Sequence, residues 1–268
     1  MDNKNEHCPY MIPTETTLDR TRMLHLIDVL HIAPPIEAIS TYVDPTGTMP
    51  LRTTDSQNHA RWLEEIQRLE GTRIAQSETG AVIFWSDVIK LVIFPPFPVH
   101  TKLNLDGFDT DHLASLLTTP RIIGVVLLRL GRYSVGVFHG QNLVASKTSA
   151  RYVKGRHKKG GSSQKRFARI REKQIYELFG KTCLVASEKF ADYERTIDFI
   201  FLGGEKHTLI QFLKHCSYLQ RFKQCTMKRI LPVKEPKFHE LKRMPQEIWK
   251  STVIAHSLPD PFPFAGLA

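Results

Sequence analysis

Thirteen consecutive residues, Lys154 to Arg166, contain no apolar side chain. Such a segment cannot fold back into a core, because nothing it removes from water would offset the entropy of ordering it. The rest of the chain must therefore present this segment to solvent. It is also dense in cations. From Lys147 to Lys173 the basic residues are Lys147, Arg151, Lys154, Arg156, Lys158, Lys159, Lys165, Arg166, Arg169, Arg171 and Lys173, against the single acid Glu172. At its centre stands Gly160-Gly161-Ser162-Ser163-Gln164. Two adjacent glycines open backbone conformations closed to other residues. The physical reading is a positive arm that offers a small, glycine-flanked polar group to a nucleic acid.

Gln164 is uncharged among these cations. Its amide both accepts and donates, so it can orient a water while its own backbone N–H faces a substrate oxygen. A carboxylate or imidazole is the usual general base. A glutamine can only position and polarise, which suffices where the bond is an activated ester and the charge to be stabilised is an oxyanion. The neighbouring serines read as spacers. His157, inside the cation cluster, reads as a neutral or phosphate-contacting side chain. Tyr152 offers either a stacking surface for a base or an anchor for the arm.

A Gly-Gly-x-x-Gln loop in a basic stretch, followed by an Arg-rich helix, resembles the peptidyl-tRNA hydrolase domain of the eukaryotic/archaeal peptide-release-factor superfamily. The resemblance is closest to its Vms-one-like branch, which acts in ribosome quality control and has bacterial members. It rests on the segment from Val125 to Phe138, on Leu143 to Lys147, on Arg151 to Arg156 and on Gly160 to Arg169, and it extends loosely to Arg229. The loop departs from the shorter Gly-Gly-Gln motif of release factors by the two serines. The resemblance implies an RNase-H-like α/β catalytic domain whose loop enters the peptidyl-transferase centre of the large ribosomal subunit. It implies hydrolysis of the ester between a nascent peptide and tRNA, with Gln164, Gly160 and Gly161 as catalytic residues. Arg151, Lys154, Arg156, Lys158, Lys159, Lys165, Arg166 and Arg169 would hold phosphates of peptidyl-tRNA or ribosomal RNA, contacts that position without reading sequence. No cofactor and no metal are implied. Two other readings keep the same loop: a nuclease that clips the tRNA 3′ CCA end, and a non-catalytic ribosome- or RNA-binding factor.

Charge divides the chain. Residues 1–119 carry nine Lys/Arg and sixteen Asp/Glu, and residues 120–268 carry twenty-eight and eleven. A net −7 half is thus followed by a net +17 half, and the basic half is the one expected to meet nucleic acid. The expected organisation is an acidic N-terminal α/β region over 1–119, a catalytic domain with a mixed sheet over 120–233, and a basic, proline-rich tail over 234–268 that packs only in part. The chain is expected to be a cytoplasmic monomer without a signal peptide or a membrane span. Cys8, Cys183, Cys216 and Cys225 have no C-x-x-C spacing, which predicts neither a zinc ribbon nor a disulfide framework. His207 and His215 lie near Cys216 and Cys225 in the chain, at spacings that match no standard zinc pattern.

Patterning predicts a loosely held lead-in over residues 1–20 and helices over Thr21–Ile32 and His59–Leu69, the latter ended by Gly71. Strands are predicted over Ala38–Val43, Ala81–Trp85 and Leu91–Phe94, with a short helix over Leu113–Leu117. In the second half, Ile122–Leu130, Tyr133–Phe138 and a strand from Leu143 form an antiparallel set. A helix then runs from Gln164 to a cap at Gly180, with Phe167, Ile170, Ile175, Leu178 and Phe179 inward. Strands follow at Thr182–Val185, Thr196–Leu202 and Met227–Val233, with a helix through Leu209 and Phe212.

Overall fold

A computed structural model describes residues 13–32, 34–50, 57–155 and 162–259, the last two segments without the side chains of residues 57, 162 and 163. The chain forms two compact units. One holds the residues up to Thr118 together with those from Trp249 onward, and the other holds Thr119–Ile248.

The first unit opens with β1 (Thr14–Leu18) and α1 (Arg20–Ile32). The Asp19 carboxylate accepts the Arg22 backbone N–H at 2.9 Å, capping the helix start. Met23, Leu26, Ile27 and Leu30 are its buried residues, at helical spacing. Then come β2 (Ile39–Val43), α2 (Gln57–Gln76), β3 (Ala81–Trp85), β4 (Lys90–Phe94), β5 (Leu103–Asp106) and α3 (Asp111–Thr118). The apolar runs of β3 and β4 are continuous because both sheet faces are covered. Val82 and Phe84 pack with α1 and α3 through Leu26, Leu30 and Leu113. Ala81, Ile83 and Trp85 pack with α2 through Trp62, Ile66 and Ile74. Ile74 also shows why α2 continues past the expected stop at Gly71. Its burial lies two turns beyond Ile66, and an interior glycine costs only about 1 kcal/mol.

The second unit contains β6 (Ile122–Arg129), β7 (Arg132–His139), β8 (Asn142–Ala150), α4 (Ser162–Phe190), β9 (Phe199–Gly204), α5 (Lys206–His215), α6 (Ser217–Gln220), β10 (Thr226–Leu231) and α7 (Phe238–Ile248). Its sheet runs β10-β9-β6-β7-β8. β7 pairs antiparallel with both β6 and β8, while β9 is parallel to β6 and β10 is parallel to β9. The unit is thus an α/β domain with a mixed sheet, as expected. Val126, Leu128, Val135, Val137, Ile200 and Leu202 form one face and pack under Leu178, Phe179, Val185 and Phe190 of α4 and Phe212 of α5. On the opposite side a Cβ on Gly136 would lie 2.9 Å from Leu241 Cδ2, so the missing side chain lets α7 settle close to β7.

Three expectations need correction here. The predicted strand over Thr182–Val185 is helical, and Gly180 does not end α4. Thr182, Val185, Ala186 and Phe190 continue the buried stripe begun by Leu178 and Phe179, and the Thr182 hydroxyl donates to Leu178 O at 2.8 Å. A disulfide joins Cys183 of α4 to Cys216 after α5, with Cα atoms 5.4 Å apart. The 33-residue separation hides this pair from any spacing rule, because only the packing of α4 against α5 brings the two together. Cys216 is thereby removed from the His/Cys group weighed above. Cys225 remains free, and burial pushes its thiol pKa up. Finally, residues 234–257 are no tail. Leu241, Met244 and Ile248 of α7 are buried in the second unit.

The chain then returns to the first unit as β11 (Ser251–Ser257), which lies between β1 and β4 in a six-stranded sheet ordered β1-β11-β4-β3-β2-β5. Every neighbour in this sheet is antiparallel. The expected lead-in is therefore partly strand: Thr14–Leu18 pairs with Ser251–Ala255. His256 of β11 lies 3.0 Å from Glu70 Oε1, with both side chains under a tenth exposed. The other Glu70 oxygen has Arg73 Nε at 3.7 Å. His256→Ala would leave a buried carboxylate without its near partner, so it is expected to destabilise the first unit by about 3 kcal/mol. His256→Gln keeps a donor and should cost much less. Urea denaturation followed by tryptophan fluorescence of Trp62 and Trp85 reads the difference, and equal losses would refute the pairing argument.

Candidate functional site

The basic arm leaves the sheet at the end of β8 and returns as α4. Its exit is tied down at three points. The Arg151 backbone N–H donates to Gly131 O at 2.8 Å. The Arg151 guanidinium donates to Glu177 Oε2 at 2.8 Å. The Lys154 backbone N–H donates to Gln174 Oε1 at 2.9 Å. The Lys154 ammonium also stands 3.8 Å from the centroid of the Phe167 ring, a cation–π contact. Arg151 and Lys154 are thus engaged within the chain, and Glu177 and Gln174 are site residues that sequence reasoning did not single out. Tyr152 is 73% exposed, so its ring is available for stacking and does not anchor the arm.

Arg156, His157, Lys158, Lys159, Gly160 and Gly161 lie outside the described residues. Gln164, Lys165, Arg166 and Arg169 lie within them, in the first turns of α4, and all four are exposed. The first fully buried residue of this helix is Leu178. Ile170 and Phe167, expected inward, are 38% exposed and half-buried respectively. The start of α4 thus extends past the core and carries its cations on a helix supported from behind by the packed half. A helix pattern alone could not show this, because the stripe from Phe167 to Phe179 looks continuous in sequence while full burial begins only at Leu178.

Gln164 is the third residue of α4, so its backbone N–H is among the first four, which have no acceptor within the helix. The positive end of the helix dipole lies at the same point. The first turn carries no acid, and Lys165 and Arg166 stand beside it. Each cation there costs roughly 0.3–1 kcal/mol against the dipole. An anionic partner would reverse that cost, and a developing oxyanion at the Gln164 N–H would meet both the donor and the field. Gln164 also lines the rim of a cleft of about 430 Å³, formed with Arg171 and Tyr176 of α4 and with His207 and Gln211 of α5. Sequence reading weighed His207 only as a metal ligand and did not single out Gln211. Among the described residues no group of three or more His, Cys, Asp and Glu could hold a metal ion, and no helix is long and apolar enough to cross a membrane.

Parts of this chain are similar to known proteins. The chain is 32% identical over 123 residues to peptide chain release factor subunit 1 of Archaeoglobus fulgidus, covering 45% of this chain and 30% of that protein. It is 34% identical over 89 residues to the protein of the same name from Aeropyrum pernix, covering 32% and 24%. The chain spans less than a third of the length of either relative. Among solved structures, the crystal structure of the archaeal translation termination factor aRF1 aligns with a TM-score of 0.37 at 15% identity, over 87% of this chain and 73% of that one. The Vms1 mitochondrial localization core aligns with a TM-score of 0.34 at 13% identity, over 74% and 85%. Residues 121–254, half of the chain, match the family described as the Actinobacteria/chloroflexi VLRF1 release factor, and the chain belongs to that family.

Proposed function

We propose that this chain is a ribosome-dependent peptidyl-tRNA hydrolase that frees nascent peptides from tRNA on stalled ribosomes or large subunits. The observation that carries the reading is the position of Gln164: in the first turn of a helix that extends past its core, beside exposed cations, in a chain of the release factor family. Lys165, Arg166 and Arg169, with the cations of residues 156–159, hold phosphates of tRNA or ribosomal RNA and set the approach of the helix. Gly160 and Gly161 allow close passage of the backbone at the tRNA 3′ end. The Gln164 carboxamide orients a water, and the water oxygen attacks the ester carbonyl carbon. The resulting oxyanion is met by the Gln164 backbone N–H. The bond to the ribose oxygen then breaks, that oxygen takes up the proton lost by the attacking water, and the products are a peptide acid and a tRNA with an intact 3′ end.

The ribosome supplies the remainder of the active site, so the isolated chain hydrolyses free peptidyl-tRNA slowly. The location proposed is the cytoplasm, where thiol reductants act on the Cys183–Cys216 bond. The test is release from purified large subunits carrying peptidyl-tRNA, with the tRNA 3′ end analysed after the reaction. The expected result is released peptide and an intact CCA end. A shortened tRNA would replace hydrolysis by nucleolytic clipping. Binding to the subunit without release would leave a binding factor.

A further inference from the structure

The cleft beside Gln164 has a composition that hydrolysis does not use. Its volume of about 430 Å³ is enough for a nucleoside-sized ligand. Tyr176 presents a ring that is 49% exposed and is backed by His215, with centroids 5.5 Å apart, so its orientation is held. Phe167 adds a second aromatic edge from the preceding turns of α4. Across from them, His207 and Gln211 are four residues apart on α5 and line the same cleft. Arg171 also lines it, and a guanidinium donates readily to a carbonyl or phosphate oxygen.

We propose that this cleft holds one unpaired nucleotide of RNA. Its base lies against Tyr176, the base edge meets Gln211 and His207, and a carbonyl or phosphate oxygen accepts from Arg171. Aromatic stacking with a few polar contacts is how unpaired bases are held. The strand on either side of the seated nucleotide runs onto the exposed Lys165, Arg166 and Arg169 at the start of α4. Because Gln164 lines the same rim, a seated nucleotide fixes where that carboxamide stands. The inference rests on the RNA-facing part of the function proposed above and is independent of ester hydrolysis.

The test is titration of the full chain with each 5′-nucleoside monophosphate, with ribose 5-phosphate and with inorganic phosphate, followed by amide chemical shifts. Nucleotides are expected to shift the amides of Arg171, Tyr176 and Gln211 saturably, and the two base-free anions to bind at least about tenfold more weakly. Tyr176→Ala should weaken nucleotide binding by about tenfold or more, while Tyr176→Phe retains it. Gln211→Leu provides a second reading should Tyr176→Ala fail to fold, and is expected to weaken binding and alter the preference among the four bases. Equal binding of ribose 5-phosphate, shifts confined to the exposed cations of α4, or Tyr176→Ala and Gln211→Leu both binding as the parent does would each overturn the proposal. Loss of release in Gln164→Ala with no nucleotide binding would leave the hydrolase and remove the cleft. Nucleotide binding with release unaffected by Gln164→Ala would do the reverse.

Discussion

Gln164→Ala is expected to lower the rate of peptide release from large subunits by about 10²–10³-fold, the scale of removing one positioned group aimed at a developing oxyanion. The substitution keeps the backbone N–H at the start of α4, so some stabilisation of the oxyanion survives and the loss is not total. It also leaves the helix intact, since alanine is the best helix former and Gln164 is exposed. Binding to the subunit, and its dependence on salt, should be unchanged because no cation is removed. Single-turnover release and co-sedimentation across several salt concentrations separate the two effects. Release by Gln164→Ala at the parental rate would remove the carboxamide from the mechanism and leave the helix start as the only candidate.

The site was legible in the sequence to the extent that chemistry is written in residue types. The glycine pair, the glutamine and the surrounding cations stand in one contiguous stretch, so no folding was needed to bring them together. What sequence could not supply was the division of labour among the cations. Arg151 and Lys154 look like their neighbours in the chain, yet the structure engages them with Glu177 and the Phe167 ring. That distinction depends on where α4 crosses the end of β8. The cleft was invisible for the same reason. Tyr176 and Gln211 are remote in sequence, and neither belongs to a motif.

The fold follows a similar line. Strands with both faces covered announce themselves as continuous apolar runs, as in Ala81–Trp85 and Ile122–Leu128. Elements that lie at an edge or carry polar residues did not. β1, reading Thr-Glu-Thr-Thr-Leu, has one buried residue out of five, and its pairing partner lies at the far end of the chain. β11 was missed because a basic, proline-bearing context masked a strand whose inward residues are Ser251, Val253 and Ile254. Glycine misled twice in the same way. Gly71 and Gly180 were read as helix ends, although the buried stripe on each helix continues past them.

Gly204 is the glycine on which the second unit depends most, and Gly204→Ala is expected to be among the most damaging single substitutions in it. Its φ is +136°, a conformation that side-chain-bearing residues rarely adopt. A Cβ built there would lie 2.0 Å from Leu128 O, inside the β6–β9 pairing. Neither term relaxes cheaply, because the obstruction is backbone held in a ladder between two buried strands. The strained φ alone costs roughly 1–3 kcal/mol, and displacing the end of β9 adds to it, for a total of about 4 kcal/mol. For a unit of this size that lowers the melting temperature by roughly 10–20 °C. Gly155→Ala is the control: a Cβ there meets none of the described residues within 4 Å and its φ is not positive, so its effect should stay within about 0.5 kcal/mol. Thermal unfolding of both variants, followed by circular dichroism, gives the comparison, and a Gly204→Ala protein as stable as Gly155→Ala would contradict the packing of β9 against β6. Gly204 also hands the chain to α5, so the same substitution would disturb Glu205, His207 and Gln211 together. A partly folded Gly204→Ala protein should therefore lose the cleft between α4 and α5 before it loses the hairpin of β6 and β7, whose pairing does not pass through that turn.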